Sequence, residues 1–250
     1  MIEAIYSQTE SETAVLFLFF SGIWNKEGPP PFEFLRSTQS LDAKRIYIRD
    51  PYQLWYQKGL PGMADSLDGC LPHLQKLITT QSVHKTVVCG NSMGGYAAIL
   101  FGALLNADEV HAFSPKTFIT PWKRLVNLDF WLKNSIRHKD ITLLRKLWAL
   151  QHKADANKAY FDLKDVLKQA NGHTRYHLYF AQSHRLDRLH SRRLVHKPNV
   201  YLYPYPYYKH DLVKHLQKGG KLEALWQKAR HTSSLSQAAS GDNMTMPAAS

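Results

Sequence analysis

The sequence predicts an α/β protein: a mostly parallel sheet flanked by helices, with a helical insert after the strand at 109–113. Three observations carry this. Short runs of apolar, branched and aromatic residues end at Gly, Pro or Ser and alternate with stretches of helical period. The first run, Ala14–Phe20, is apolar throughout rather than at every second residue, as in a strand covered on both faces. The alternation pauses between Lys116 and about Asn171, where helical patterns follow one another with no convincing strand.

Ala14–Phe20 is the first such run, halted by Ser21-Gly22 and followed by a loop through Pro29, Pro30 and Pro31. Arg45–Arg49 reads as a second strand, stopped by Asp50-Pro51. Between Met63 and Thr80, Leu67, Leu71, Leu74, Leu77 and Ile78 recur at helical spacing. Lys85–Cys89 is strand-like, Tyr96–Leu105 helical, and Glu109–Phe113 a strand that stops at Ser114-Pro115. The insert carries two apolar helical stripes, one from Trp122 through Leu125, Leu128, Trp131 and Leu132, the other from Leu143 to Trp148. Strands resume with Tyr176–Phe180 and Val200–Tyr203, separated by a basic helix around Leu189–Leu194. A last helix is expected over Asp211–Ala229. From His231 onward the residues are small and polar, which predicts a disordered tail over 231–250. The expected organisation is one domain over 1–230, including a basic helical insert at about 116–171.

At 250 residues and 44% hydrophobic content the chain can bury one sizeable core. Cys70 and Cys89 lack metal-ligand spacing and read as buried thiols. The opening Met1-Ile2-Glu3-Ala4 lacks the basic residues of a signal peptide, and Ala14–Phe20 is too short to span a bilayer, so a cytoplasmic protein without a membrane span is expected.

The chemistry centres on Gly90-Asn91-Ser92-Met93-Gly94-Gly95, a Gly-x-Ser-x-Gly pattern set between a strand and a helix. A nucleophile elbow requires that setting, because the serine sits on a strained turn and small residues two positions either side let strand and helix approach. A phosphate-cradling loop is the competing reading, but the Lys-Ser/Thr of a P-loop and the spacing of a dinucleotide fingerprint are both missing.

A serine hydroxyl needs a base to take its proton. In the chain order Ser, Asp/Glu, His, that base follows the last strand and the acid follows the strand before it. His210 is the first histidine after Val200–Tyr203, with His215 a rival inside the last helix. Asp187 is the one carboxylate in the loop after Tyr176–Phe180, with Asp211 a fallback that adjoins His210 too closely to orient its ring. The backbone N–H of Met93 is one oxyanion donor, and that of Gly22 or Ile23 in the loop after Ala14–Phe20 is the second.

Elbow, acid loop, terminal histidine and strand order together resemble the α/β-hydrolase superfamily over roughly residues 13–230. Gly90–Gly95 followed by Tyr96-Ala97-Ala98 is similar to its bacterial esterase- and thioesterase-like members. The resemblance implies a serine hydrolase in which Ser92 is acylated and water then releases the acid, with no metal or organic cofactor. Two departures stand out: Lys209 precedes His210 where many relatives have glycine, and the front of the sheet looks short of eight strands.

The net charge of +12 is unevenly spread. Residues 1–115 hold 8 Lys+Arg against 11 Asp+Glu, residues 116–160 hold 10 against 3, and residues 185–197 hold 5 against 1. The excess belongs to the insert and the acid loop, which flank the C-terminal edge of the sheet where a site would lie. A basic rim there favours an anionic substrate portion: an acyl ester or thioester on an acidic carrier protein or coenzyme A. An acyltransferase using the same triad is the close alternative. A nucleic-acid-binding module is disfavoured, because aromatic residues do not interleave with the basic ones and no reading motif is present.

Overall fold

The computed structural model describes residues 2–126, 138–153 and 156–232. Seven strands form one sheet: β1 (Ile5–Gln8), β2 (Val15–Phe20), β3 (Lys44–Ile48), β4 (Lys85–Asn91), β5 (Glu109–Phe113), β6 (Arg175–Ala181) and β7 (Val200–Tyr205). Their order is β1-β3-β2-β4-β5-β6-β7, parallel throughout except for β1, which runs antiparallel to β3. The mostly parallel sheet with flanking helices is the one the sequence predicts. β1 is additional: Ile5-Tyr6-Ser7-Gln8 is short and half polar, and pairing at the sheet edge rather than burial holds it.

Every residue of β2 is buried, yet its side chains divide by face. Leu16, Leu18 and Phe20 join a core with α1 (Leu67–Thr79) and α2 (Met93–Leu104). Val15, Phe17 and Phe19 join a second core on the opposite face. This is a three-layer sandwich with two hydrophobic interiors, and it explains why β2 reads as a continuous apolar run.

The second core is covered by α7 (Leu212–Lys218) and α8 (Lys221–His231). The sequence predicts one helix over Asp211–Ala229; the chain instead breaks at Gly219-Gly220. Gly220 takes a left-handed φ of 64°, which ends one helix and turns the chain into the next. The turn lays Trp226 edge-on to Phe19, Phe34 and Phe113 at 5.5–5.7 Å between centroids.

Between β5 and β6 lie α3 (Pro121–Val126), α4 (His138–Gln151) and α5 (Leu163–Gln169). Leu147, Leu163, Val166 and Leu167 are buried in the first core, so part of the insert is a wall of the domain. Trp122 and Trp148 are exposed, at 64% and 54%. Leu128, Trp131 and Leu132 of the first predicted stripe lie outside the described residues, as do residues 233–250 of the predicted tail, whose first residue, His231, closes α8. The helix expected around Leu189–Leu194 starts earlier, as α6 (Arg185–Arg192). Among the described residues no helix is long and apolar enough to cross a membrane.

A buried ion network crosses the sheet on the second face. Glu109 meets Lys85 Nζ at 3.1 Å, Arg175 at 2.7 Å and His111 Nε2 at 3.1 Å. Burial would raise the Glu109 carboxyl, but His111 and Lys85 outweigh it and bring it down to about 2. With Lys85 Nζ against the same carboxylate, this Glu-His cluster is an ion-pair network and a poor cation cradle.

Trp226→Ala, which removes the ring where the aromatic residues of the second core converge, is expected to cost about 3–5 kcal/mol in urea unfolding and to leave the sheet intact by circular dichroism.

Candidate active site

The turn between β4 and α2 carries Ser92 with φ 56° and ψ −109°, a backbone state that costs about 1–3 kcal/mol for a residue with a side chain. Packing holds it there. A Cβ on Gly90 would sit 2.0 Å from Gly94 O, and one on Gly94 would sit 2.0 Å from Phe20 O. Only glycine at both positions lets strand, helix and the end of β2 close on one another. The Ser92 amide donates to Phe113 O at 2.9 Å, and Ser92 O accepts the Tyr96 amide at 3.1 Å, so the elbow is tied to both β5 and α2.

His210 follows β7 and reaches back over the sheet edge. Its Nε2 lies 2.9 Å from Ser92 Oγ and its Nδ1 lies 2.7 Å from Asp187 Oδ1. Asp187 sits in the first turn of α6, fully buried. Burial alone would raise its carboxyl. Hydrogen bonds from His184 and His210 and the charge of Lys116 overcome that and hold it far below the usual carboxylate range. Asp187 is therefore ionised throughout the neutral range and fixes the proton of the His210 ring on Nδ1, leaving Nε2 as an acceptor for the serine. The alternatives lie elsewhere: His215 is exposed and stacked on Tyr207 at 4.4 Å, and Asp211 accepts the Tyr207 hydroxyl at 2.8 Å.

Two neighbours escape the sequence reading. His184 places Nδ1 3.0 Å from Asp187 Oδ1, the oxygen that His210 also uses, while Asp187 Oδ2 is buried without a partner among the described residues. Glu33 approaches from the proline-rich loop after β2. Ser21 Oγ folds that loop back, donating to Pro31 O at 2.9 Å and accepting the Glu33 amide at 3.1 Å. The Glu33 carboxyl then lies beside the Gly22 amide and the Asn91 side chain, both of which favour its ionised form.

The loop that starts at Ser21 is braced from β3 as well. Asp50 accepts the amides of Tyr52, Leu54 and Tyr56 at 2.7–2.9 Å, and the Tyr56 hydroxyl donates to Ser21 O at 2.9 Å. The Trp24 amide donates to Gln53 Oε1 at 2.8 Å. Gly22 packs against the elbow so tightly that a Cβ there would meet Asn91 O at 2.9 Å and Ser92 Cβ at 3.7 Å. The first-turn amide of Met93 has no acceptor within α2.

Solved structures share this arrangement of strands and helices. The capsule O-acetyltransferase of Neisseria meningitidis serogroup A superposes with a TM-score of 0.63 at 12% identity, over 91% of this chain and 92% of that one. FphF, a fluorophosphonate-binding serine hydrolase of Staphylococcus aureus, gives 0.54 at 12% identity over 90% and 86%. Brefeldin A esterase, a bacterial homologue of human hormone-sensitive lipase, gives 0.54 at 17% identity over 88% and 68%. The chain has the α/β-hydrolase fold. No family model matches the sequence, and no curated protein does. Within this fold the departure noted at the front of the sheet is a count of seven strands among the described residues, with β1 as the antiparallel edge.

Asp187→Asn is expected to preserve the thermal unfolding midpoint to within a few degrees and to lower turnover by about 10⁴, because the His210 ring loses the partner that sets its tautomer. Steady-state kinetics beside a melting curve test this.

Proposed function

We propose that the protein is a serine hydrolase that cleaves an ester or thioester through an acyl-enzyme on Ser92. The observation that carries this reading is the continuous chain Ser92 Oγ, His210 and Asp187 at 2.9 and 2.7 Å on a strained strand-to-helix turn. Ser92 Oγ attacks the acyl carbonyl as His210 Nε2 takes its proton, and Asp187 stabilises the imidazolium without itself taking the proton. The carbonyl oxygen becomes an oxyanion that accepts from the amides of Met93 and Ile23. Ile23 is preferred over Gly22 because the Gly22 amide lies beside the Glu33 carboxyl. Collapse breaks the bond to the leaving oxygen or sulfur, which departs with the proton from His210. Water then attacks the acyl-enzyme with His210 again as base, and the acid leaves as Ser92 regains its proton.

Transfer to an acceptor hydroxyl in place of water is the second reading. It is favoured by the fold match to the capsule O-acetyltransferase, a histidine-to-alanine mutant of which is described in complex with CoA. The same residues would serve, because only the second nucleophile differs.

An anionic substrate portion, coenzyme A or an acidic carrier, is supported by where the basic residues stand. Arg185 and Arg188 are exposed in the first turn of α6 beside Asp187, and the Lys116 charge acts on that same carboxylate. Cys70 and Cys89 are both free and buried, in keeping with the reducing cytoplasm to which we assign the protein. The whole of 1–230 acts as one catalytic domain in this reading, since α5 and Leu147 of the insert belong to the first core.

A fluorophosphonate probe is expected to label the wild type at Ser92 and to label neither Ser92→Ala nor, at a comparable rate, His210→Ala. An unlabelled wild type refutes the serine nucleophile, and labelling that survives Ser92→Ala refutes its assignment. With acetyl-CoA as substrate, kcat/KM should fall severalfold between 50 and 500 mM salt, while neutral p-nitrophenyl acetate should show a flat response.

A further inference from the structure

The half-buried side chain of Glu33 takes no part in the triad, yet it lies against the loop that packs on the reacting serine. A Cβ placed on Gly22 would be 3.4 Å from Glu33 Oε1 and 3.7 Å from Ser92 Cβ, so carboxyl and serine face each other across one methyl-sized space. Its contacts bridge two segments: the Gly22 amide lies in the loop that carries one oxyanion donor, and the Asn91 side chain lies in the elbow next to Ser92. Its Oε2 is out of reach of solvent and has no hydrogen-bond partner among the described residues. A carboxylate at this place would lie beside the developing oxyanion, inside a site where water screens poorly.

We propose that Glu33 is a positioning residue that clamps the oxyanion loop to the nucleophile elbow and works in its neutral, protonated form. This rests on the serine-hydrolase reading above. A neutral carboxyl still offers its carbonyl oxygen to the Gly22 amide, so the clamp survives protonation. Ionisation keeps the clamp but adds a negative charge that opposes the one forming on the substrate. Burial is the largest influence on the group and pushes it up to about 7, against the Gly22 and Asn91 hydrogen bonds and the Lys214 charge, which lower it. The charged and titratable groups that face it are Lys214 on α7, the Tyr56 hydroxyl from the loop after β3, and His210 across Ser92. Burial, the first cause, holds the Tyr56 hydroxyl well above its ordinary range, so it stays protonated.

The sign follows. An acid raised to about 7 is mostly neutral at pH 6 and mostly ionised at pH 8, so the reactive fraction falls about tenfold between those two values. Glu33 thus gives the alkaline limb of the profile.

The test is the rate of fluorophosphonate labelling of Ser92 from pH 5.5 to 9.5 in wild type, Glu33→Gln and Lys214→Met. Phosphonylation also builds charge in the oxyanion hole. The wild-type profile should fall on the alkaline side from about pH 7, and Glu33→Gln, isosteric and always neutral, should stay level there. Lys214→Met removes a charge that favours the ionised form, so its alkaline fall should move to higher pH. A purely structural role for Glu33 would scale the whole profile and leave its shape alone. An alkaline limb unchanged in both variants overturns the proposal for Glu33 and leaves the serine nucleophile standing. No labelling of the wild type overturns both.

Discussion

The fold and the site depend on one constraint, the left-handed backbone of Ser92 at φ 56° between β4 and α2. Such a state persists only when its surroundings over-determine it. Here three elements converge on it: Gly90 and Gly94 back to back, Gly94 against the carbonyl of Phe20 at the end of β2, and the Ser92 amide on Phe113 O of β5. Each contact needs its strand at a fixed height in the sheet. The register that pairs Phe20 with Gly90, and Asn91 with Phe113, is therefore part of the site. A slip of one residue between β2 and β4 would move Phe20 O away from Gly94 and turn the buried faces of β2 over.

From that turn outward, each polar group is held by a second one. His210 is oriented by Asp187, and Asp187 is approached by His184, the N-cap of its own helix. On the other side, Ser21 bends the proline-rich loop so that Glu33 meets Gly22, while Asp50 and Tyr56 brace Ser21 from β3. The two supports come from opposite ends of the chain and meet only at Ser92. Preorganised polar sites require this, because donors that must be recruited during the reaction cost reorganisation energy.

What could be read from the sequence tracks how local the determinants are. β2 appears as an apolar run because both faces of the sheet are covered there, and the alternation of β2 to β7 with helices gives the parallel topology directly. β1 does not, since Ile5-Tyr6-Ser7-Gln8 has no burial pattern and exists by pairing with β3. The break at Gly219-Gly220 is visible as two glycines, but apolar spacing on either side fits a single helix equally well. Ser92, Asp187 and His210 stand out because topology assigns loops to roles before any contact is known. Glu33 lies in a loop with no such assignment, and its approach to Gly22 depends on a hydroxyl bridge from Ser21 that no spacing rule encodes. In the insert, Leu147 is buried in the first core while the indoles of Trp122 and Trp148 stay exposed.

The carboxyls of Asp187 and Glu33 are shifted in opposite directions for reasons that can be separated. Both are removed from water, which favours the neutral acid. Asp187 receives His184 and His210 on one oxygen and feels Lys116, so hydrogen bonding and charge overcome burial and the ion persists. Glu33 lies beside the Gly22 amide and the neutral Asn91 side chain, with Lys214 at the margin, and burial prevails. The division matches what the chemistry asks of each side. In the proposed reaction, positive charge develops on the His210 ring, where a fixed carboxylate helps, and negative charge develops on the substrate oxygen, where a second carboxylate would harm. Environments that push two acids apart in this way are how a single site performs acid and base chemistry at neutral pH. The asymmetry arises here from backbone placement: Asp187 lies beside two imidazoles, and Glu33 lies beside the single amide of Gly22.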